Sequence, residues 1–329
     1  VSDQLSLPAF ARPQSRPVGT YAGLALLAVL LPVPLLTNEY SQYVVNLVVV
    51  YALAAVGFNI VLGYLGQLAF ANVAFFGIGA YALGVLMERY GLPFLVALVP
   101  SALLGGLAGA IVGLPALRLK SYYLAIVTLV FGELMRWTYI HADALTHGSS
   151  GLGLPDVYVL GFPISNETHK YYLFLAVTGL AIWMTSGLLQ SRIGRAWIAI
   201  RENEPAAASL GFSPALFKIA AFAWSGLLSA LAGALFAVLI GRIAPESFNL
   251  HQLLLQFSIV MIGGLGSLTG SLLGAALLTA APEILRNFPG LEEIVFSLLL
   301  IGVLLFIPRG LYGLLADTVP ALRERRFRD

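Results

Sequence analysis

Long apolar runs, broken by short polar or glycine-rich intervals, dominate this chain from residue 18 to residue 308. About 20 consecutive apolar residues suffice for one helix to cross a bilayer. Runs of that kind fall near residues 18–36, 43–62, 68–87, 93–115, 121–140, 171–190, 216–241, 251–264, 267–281 and 293–308. The runs at 68–87 and across 251–281 are rich in glycine and are expected to be irregular. The pattern therefore predicts an all-α polytopic membrane protein of about eight to ten membrane segments, some of them Gly-interrupted or re-entrant. A membrane domain over 18–310 is flanked by a polar tail at 1–17 and a basic tail at 311–329, and two polar intervals interrupt it, at 141–170 and 191–216. The tail before residue 18 has no short apolar core with a small-residue cleavage site, so the chain is expected to insert through its own spans.

Composition removes the soluble alternative. Of 329 residues, 59% are hydrophobic and only 10% charged, against about 25% charged in soluble domains. The net charge of +2 gives no pull toward nucleic acid. Cysteine is absent, which excludes disulfides, iron–sulfur clusters and thiolate metal sites. His141, His147, His169 and His251 are scattered, with no helical pair at metal-ligand spacing, so no metal site is expected. Nor is there a phosphate-binding loop, a nucleophile elbow or a zinc-protease helix motif, which leaves no enzyme signature.

The distribution of positive charge orients the spans. With the N-terminus in the cytoplasm, 13 basic residues fall inside: Arg12, Arg16, Arg118, Lys120, Arg192, Arg195, Arg201, Lys218, Arg309, Arg323, Arg325, Arg326 and Arg328. Five fall outside or near the outer face: Arg89, Arg136, Lys170, Arg242 and Arg286. Both termini and the 191–216 interval are thus expected in the cytoplasm, and the 141–170 loop outside.

The 191–216 interval is a helix-forming island between two spans. Arg195 to Leu210 reads as helix, with Gly211 placed as its C-terminal cap. Pro205 removes a backbone donor, so two short helical pieces are expected. Small alanines at 206–208 permit close approach of a partner, and the charges give register. An amphipathic loop resting on lipid headgroups is the alternative.

Two stretches share the pattern Gly-x-Leu-Gly-polar: Gly63-Tyr64-Leu65-Gly66-Gln67 and Gly263-Gly264-Leu265-Gly266-Ser267. Irregular backbone inside a membrane is tolerated where it lines a cavity or packs on protein, and interrupted helices in both halves point to a pathway between repeats. Gln67, Asn72 and Ser267 are then pathway candidates, with Phe75 and Phe76 as an apolar constriction. The glycines also serve packing, and Gly105-x3-Gly109-x3-Gly113 and Gly266-x3-Gly270-x3-Gly274 give flat helix faces. Glu133 and Arg136 lie inside an apolar run. Three residues apart, they share a helix face and can pair, or they can face the solute. Thr128 reads as a back-bonded helix hydroxyl or a pathway residue. The glycines of Gly148 to Gly153 are expected to leave the outer loop mobile.

Four ordered motifs carry a resemblance over roughly residues 43 to 310. They are Gly66-Gln67-Leu68 with Ala74-Phe75-Phe76-Gly77-Ile78-Gly79-Ala80-Tyr81; Leu117-Arg118-Leu119-Lys120 with Tyr123 to Leu129 and Phe131-Gly132-Glu133; Gly194-Arg195-Ala196 with Ala199-Ile200-Arg201 and Asn203-Glu204; and Ile262-Gly263-Gly264-Leu265-Gly266-Ser267 with Gly270. Together they resemble the LivM-like branched-chain amino acid permeases of ABC transporters. Glu204-Pro205-Ala206-Ala207 followed by Gly211 resembles the coupling loop of ABC permeases, with Pro205 interrupting the usual Glu-Ala-Ala. The resemblance implies an importer subunit in a bacterial or archaeal inner membrane. It implies a second homologous permease, two ATPase subunits carrying ATP and Mg, and an external solute-binding protein, with no cofactor in this chain. It assigns ATPase coupling to Arg195, Arg201, Glu202, Asn203, Glu204, Ala206, Ala207 and Gly211. Where relatives often carry Ser-Leu-Gly-His, this chain has Ala69-Phe70-Ala71-Asn72, which puts the solute in question. An ion- or proton-coupled secondary transporter is the competing class, and Glu133 is its one deep acid.

Overall fold

The computed structural model describes residues 32, 34, 38–119, 121–159, 161–285 and 310–313. The expected segment at 293–308, almost all of 18–36 and almost all of both tails lie outside the described residues. Ten helices organise the rest: α1 (Glu39–Asn59), α2 (Asn72–Tyr90), α3 (Phe94–Gly113), α4 (Ser121–His141), α5 (Glu167–Gln190), α6 (Arg192–Glu202), α7 (Glu204–Ser209), α8 (Pro214–Ile240), α9 (Leu250–Gly263) and α10 (Leu268–Leu285). Short helical turns, such as Asp143–Thr146, join some of them. Six are long and apolar enough to cross a bilayer: α1 with its extension to Tyr64, α2, α3 with its extension to Leu117, α4, α5 and α8. The apolar helices α9 and α10 are shorter. Among the described residues, the runs at 43–62, 93–115, 121–140, 171–190 and 216–241 coincide with spanning helices, and those at 251–264 and 267–281 form the two shorter ones. The segment expected at 68–87 starts at Asn72, because residues 65–71 form the break itself.

The core gathers around α8, which packs on α1, α2 and α3. Lipid is as apolar as leucine, so helices in a bilayer associate through close packing rather than hydrophobic burial. Small residues make that approach possible here. A Cβ on Gly105 would overlap Ala230, one on Gly109 the Phe222 carbonyl, and one on Gly226 the Gly105 carbonyl. Gly270 and Gly274 meet the Gly263 and Ile259 carbonyls in the same way, so the first predicted stripe and the helical part of the second are packing faces, while Gly266 lies in the break before α10.

The two ends of the bundle are built differently. At one end β1 (Leu152–Gly153) pairs antiparallel with β4 (Arg242–Ile243), Leu152 opposite Ile243, and β2 (Tyr158–Val159) pairs with β3 (Phe162–Pro163). These contacts tie the 141–170 loop to the bundle through Leu152 and Ile243. Leu152 is fully buried, and Thr146 donates to the Tyr139 carbonyl at 2.7 Å and accepts from Gly148 N–H at 3.3 Å. Local hydrogen bonds and the strand pair fix the turns that the glycines make possible. At the opposite end lie α6, α7 and both glycine-rich breaks.

Candidate functional site

The site starts with how α1 ends. Its last turn, Ile60–Tyr64, widens into a π turn, with Leu65 N–H donating to the Ile60 carbonyl at 3.0 Å. Single π turns inside helices accompany functional sites. The chain then breaks over 65–71 before α2 begins. A second break, Gly264–Ser267, separates α9 from α10. The two breaks share more than sequence. The fourth residue of each motif is left-handed, Gly66 at φ +73° and Gly266 at φ +71°, a conformation that disfavours any Cβ. They also meet in space, since a Cβ on Gly63 would overlap Asn59 Oδ1 and the Gly266 nitrogen.

Asn59 bolts the two breaks together. It is fully buried. Its Nδ2 donates to the Ser271 hydroxyl at 2.8 Å, the Ser267 carbonyl at 2.9 Å and, more weakly, the Gly264 carbonyl at 3.3 Å. Its Oδ1 accepts Gly266 N–H at 2.9 Å. One amide thereby satisfies backbone that the break leaves without helical partners.

The six pathway candidates all fall at or beside these breaks, and all but Gln67 have a local partner or packing role. Asn72, the first residue of α2, donates to Gln256 Oε1 at 2.7 Å and accepts from the Ser229 hydroxyl. Thr128 is back-bonded to the Leu124 carbonyl at 2.8 Å and accepts Phe70 N–H at 2.7 Å, which satisfies a donor freed by the first break. The Ser267 hydroxyl accepts Gly270 N–H at 3.0 Å and so caps α10. Gln67 carries a buried Oε1 with no hydrogen-bond partner among the described residues. Phe75 and Phe76 are buried. Phe76 packs on Phe236 and Phe248, and Phe75 on Phe131. A narrow crevice lined by Phe58, Asn72, Phe75, Phe222 and Ser225 lies between α1, α2 and α8.

Pattern reasoning missed Asn59, Ser229 and Gln256, all fully buried. The signal was available, since each is a polar side chain inside an otherwise apolar run. Such groups need internal partners in a membrane.

The island folds as two capped helices, as expected. The break, however, comes at Asn203 rather than at Pro205. Asn203 is extended (φ −158°, ψ 100°), and its side chain accepts Ala206 N–H. Pro205 sits in the first turn of α7, where its missing donor costs nothing. Ser191 caps α6 by accepting Ile193 N–H at 3.1 Å. Gly211 ends α7 with φ +86°, and Phe212 N–H returns to the Ala207 carbonyl. Trp197 is buried and donates through Nε1 to the Phe217 carbonyl at 2.8 Å.

Among the coupling candidates, Arg195, Arg201, Glu202, Asn203, Glu204, Ala206 and Gly211 are exposed, but Ala207 is buried. Glu204 pairs with Lys218 at 2.7 Å, their side chains 47% and 7% exposed. Lys218, a cation on a membrane helix, is thereby neutralised by the island. Arg201 reaches further. Its Nη1 donates to the Gly63 carbonyl at 2.6 Å, and its methylenes lie where a Cβ on Gly66 would be. The chain of contacts therefore runs from the island through Arg201 to the first break, and through Asn59 to the second.

Away from this site, Arg136 Nε donates to Glu133 Oε2 at 3.1 Å, with side chains 36% and 49% exposed. The predicted pairing is present. A charge at mid-bilayer costs about 2.5–3.5 kcal/mol even on insertion scales.

Residues 41–308 match the family described as branched-chain amino acid transport system / permease component. The high-affinity branched-chain amino acid transport system permease protein LivM of Salmonella typhimurium is 32% identical over 324 residues, covering 91% of this chain and 76% of that protein. The permease protein LivH of Escherichia coli is 26% identical over 287 residues, covering 80% and 91% respectively. The autoinducer 2 import system permease protein LsrC of Salmonella paratyphi B is 29% identical over 229 residues, covering 63% and 66%. No solved structure is significantly similar. A match over most of the chain, carried by a helical membrane bundle of this composition, shows that the protein belongs to the family of branched-chain amino acid transport system permease components.

Proposed function

We propose that this chain is one of two homologous permeases in an ATP-driven importer of branched-chain amino acids or chemically similar small solutes. In this reading α6 and α7 dock on a soluble ATPase, and the end carrying β1 to β4 receives an external solute-binding protein. The excess of basic residues at the island end and in both tails supports a cytoplasmic island and cytoplasmic termini. The names of the relatives support the solute class. At position 72 an amide replaces the imidazole common in relatives. It is committed to Gln256 and Ser229, which favours a structural role for that substitution.

The observation that carries the proposal is the hydrogen bond from Arg201 to Gly63. It joins a solvent-exposed pair of helices to a π turn in a membrane helix. A push on the island has a short, hydrogen-bonded route to both breaks, whose positive-φ glycines sit where the helices change direction. A partner shifts such an equilibrium only by its differential affinity for the two states, so hydrolysis on the ATPase has to alter how the island is held.

The test is uptake of radiolabelled leucine by vesicles holding the complete transporter, with an Ala206→Arg variant beside the native chain. Ala206 is exposed on α7, so its arginine is expected to leave the fold intact and to remove both ATPase copurification and uptake. Native-level uptake with a retained ATPase would remove the island from the coupling role.

A further inference from the structure

Glu133 and Arg136 sit in an unusual place. α4 spans Ser121–His141. Glu133 is eight residues from His141 and twelve from Ser121, about 12 Å and 18 Å of helix rise, and so near the bilayer middle. Both side chains are partly exposed, and their single mutual bond engages Arg136 Nε and Glu133 Oε2. The other carboxylate oxygen and the two terminal guanidinium nitrogens have no hydrogen bond within the described chain. Val130, Leu134 and Trp137 are exposed as one stripe of α4, at the spacing that brings i, i+4 and i+7 together, with Glu133 at its edge and Arg136 a step further round the helix. The exposed face of α3, with Leu103, Leu107 and Ile111, carries no charge at all. Hydrocarbon explains the α3 face and does not explain the α4 face, because intramembrane charges face a bundle interior or a water-filled cavity.

We propose that the exposed face of α4 borders the water-filled solute path, and that Glu133 and Arg136 receive the two charged ends of a zwitterionic amino acid. The free carboxylate oxygen suits an ammonium. The free guanidinium nitrogens suit a carboxylate, which arginine binds through paired donors. Val130, Leu134 and Trp137 supply apolar contact for a branched side chain. Each end of the solute adds hydrogen-bond partners to a pair whose members are otherwise held by one mutual bond. The assignment rests on the permease reading above and adds to it the residues and the ligand chemistry.

The chain has no cysteine, so single cysteines report on each face. Val130→Cys and, independently, Leu134→Cys are placed in the complete transporter, with Leu107→Cys on α3 as reference. A membrane-impermeant maleimide is applied, and its mass is read on this chain. A thiol reacts only where it can ionise in water, so positions 130 and 134 are expected to label at least about tenfold faster than position 107. Leucine at about ten times its Kd is expected to slow that labelling about tenfold. The 2-hydroxy analogue, which lacks the ammonium, is expected to slow it far less. Two assembled variants as inert as Leu107→Cys place the face against lipid or a partner helix and overturn the proposal. Equal protection by leucine and its hydroxy analogue overturns the role of Glu133. Leucine uptake by the native transporter, measured in the same vesicles, tests the permease reading separately, since labelling without solute does not depend on it.

Discussion

Arg201 and Gly63, 138 residues apart in sequence, are joined by a 2.6 Å hydrogen bond from the guanidinium to the backbone carbonyl. The same side chain lies along Gly66, the left-handed residue that turns the chain out of α1. A solvent-exposed helix and an interrupted membrane helix thus share one side chain. A hydrogen bond to a charged group contributes about 1.5–3 kcal/mol, less where solvent reaches the donor, as it does here.

Arg201→Ala is therefore expected to separate ATP hydrolysis from transport. The complete transporter should assemble and hydrolyse ATP, while leucine uptake falls about tenfold, the effect of roughly 1.4 kcal/mol. Arg201→Lys restores a donor without the planar fork and is expected to recover part of the loss. The proposed strut is wrong if Arg201→Ala takes up leucine at the native rate.

Gly63→Ala tests the contact between the two breaks. The added methyl would overlap the Gly266 backbone and Asn59 Oδ1, neither of which can rotate away. Overpacking of this kind costs about 1–3 kcal/mol. Gly187, in α5, has nothing within 4 Å of a Cβ. Alanine there is expected to be neutral or to stabilise, by up to about 1 kcal/mol, through helix propensity. In detergent the melting temperature of Gly63→Ala should fall and that of Gly187→Ala should not. Equal shifts would show that the breaks do not press on each other.

Neighbouring alanines in α7 should behave differently. Ala207 is buried and Ala206 exposed. Ala207→Arg is expected to unseat α7 from the bundle and reduce the yield of folded protein, whereas Ala206→Arg is expected to purify normally. Glu204→Lys sets a second cation against Lys218, which is 7% exposed. Breaking a fully buried pair costs about 3–5 kcal/mol. Glu204 is half exposed, so a loss on the order of 2 kcal/mol is expected, read as a lower melting temperature. Limited proteolysis of the island would check all three, with rapid cleavage for Ala207→Arg and Glu204→Lys only.

How far the sequence carried can be followed through particular residues. The apolar runs located the described spanning helices because a bilayer imposes one length and one polarity on every crossing. The paired Gly-x-Leu-Gly motifs marked both breaks because left-handed backbone leaves few alternatives to glycine. Two facts were not legible. That Gly63 rests on Gly266 depends on how α1 crosses α10, and no local pattern encodes a crossing. That Ala207 faces inward while Ala206 faces out depends on where α7 starts, which Asn203 decides by capping one residue before Glu204. Asn59, Ser229 and Gln256 were visible as polar residues in apolar surroundings, but periodicity passes over single buried polar side chains, because each finds its partner through tertiary packing alone.

Asn59 gives the sharpest test of the double break. In Asn59→Asp the shape is kept and the two amide hydrogens are lost. A carboxylate oxygen then faces the Gly264 and Ser267 carbonyls, with the Ser271 hydroxyl already donating to Ser267 O at 3.1 Å. Each buried acceptor left without a donor costs about 1–3 kcal/mol, and the buried charge adds to that. Asn59→Leu removes the same hydrogens without placing a charge and should be the milder change. The expected order of melting temperature is native, then Leu, then Asp, with the aspartate variant at least about 3 kcal/mol less stable than native. Hydrogen exchange at the backbone N–H of Gly266, which Asn59 Oδ1 now accepts at 2.9 Å, should quicken in Asn59→Leu, which has no acceptor there. It should quicken less in Asn59→Asp, which keeps one. An aspartate variant as stable as native, with Gly266 still protected in Asn59→Leu, would mean that packing alone holds the two breaks together.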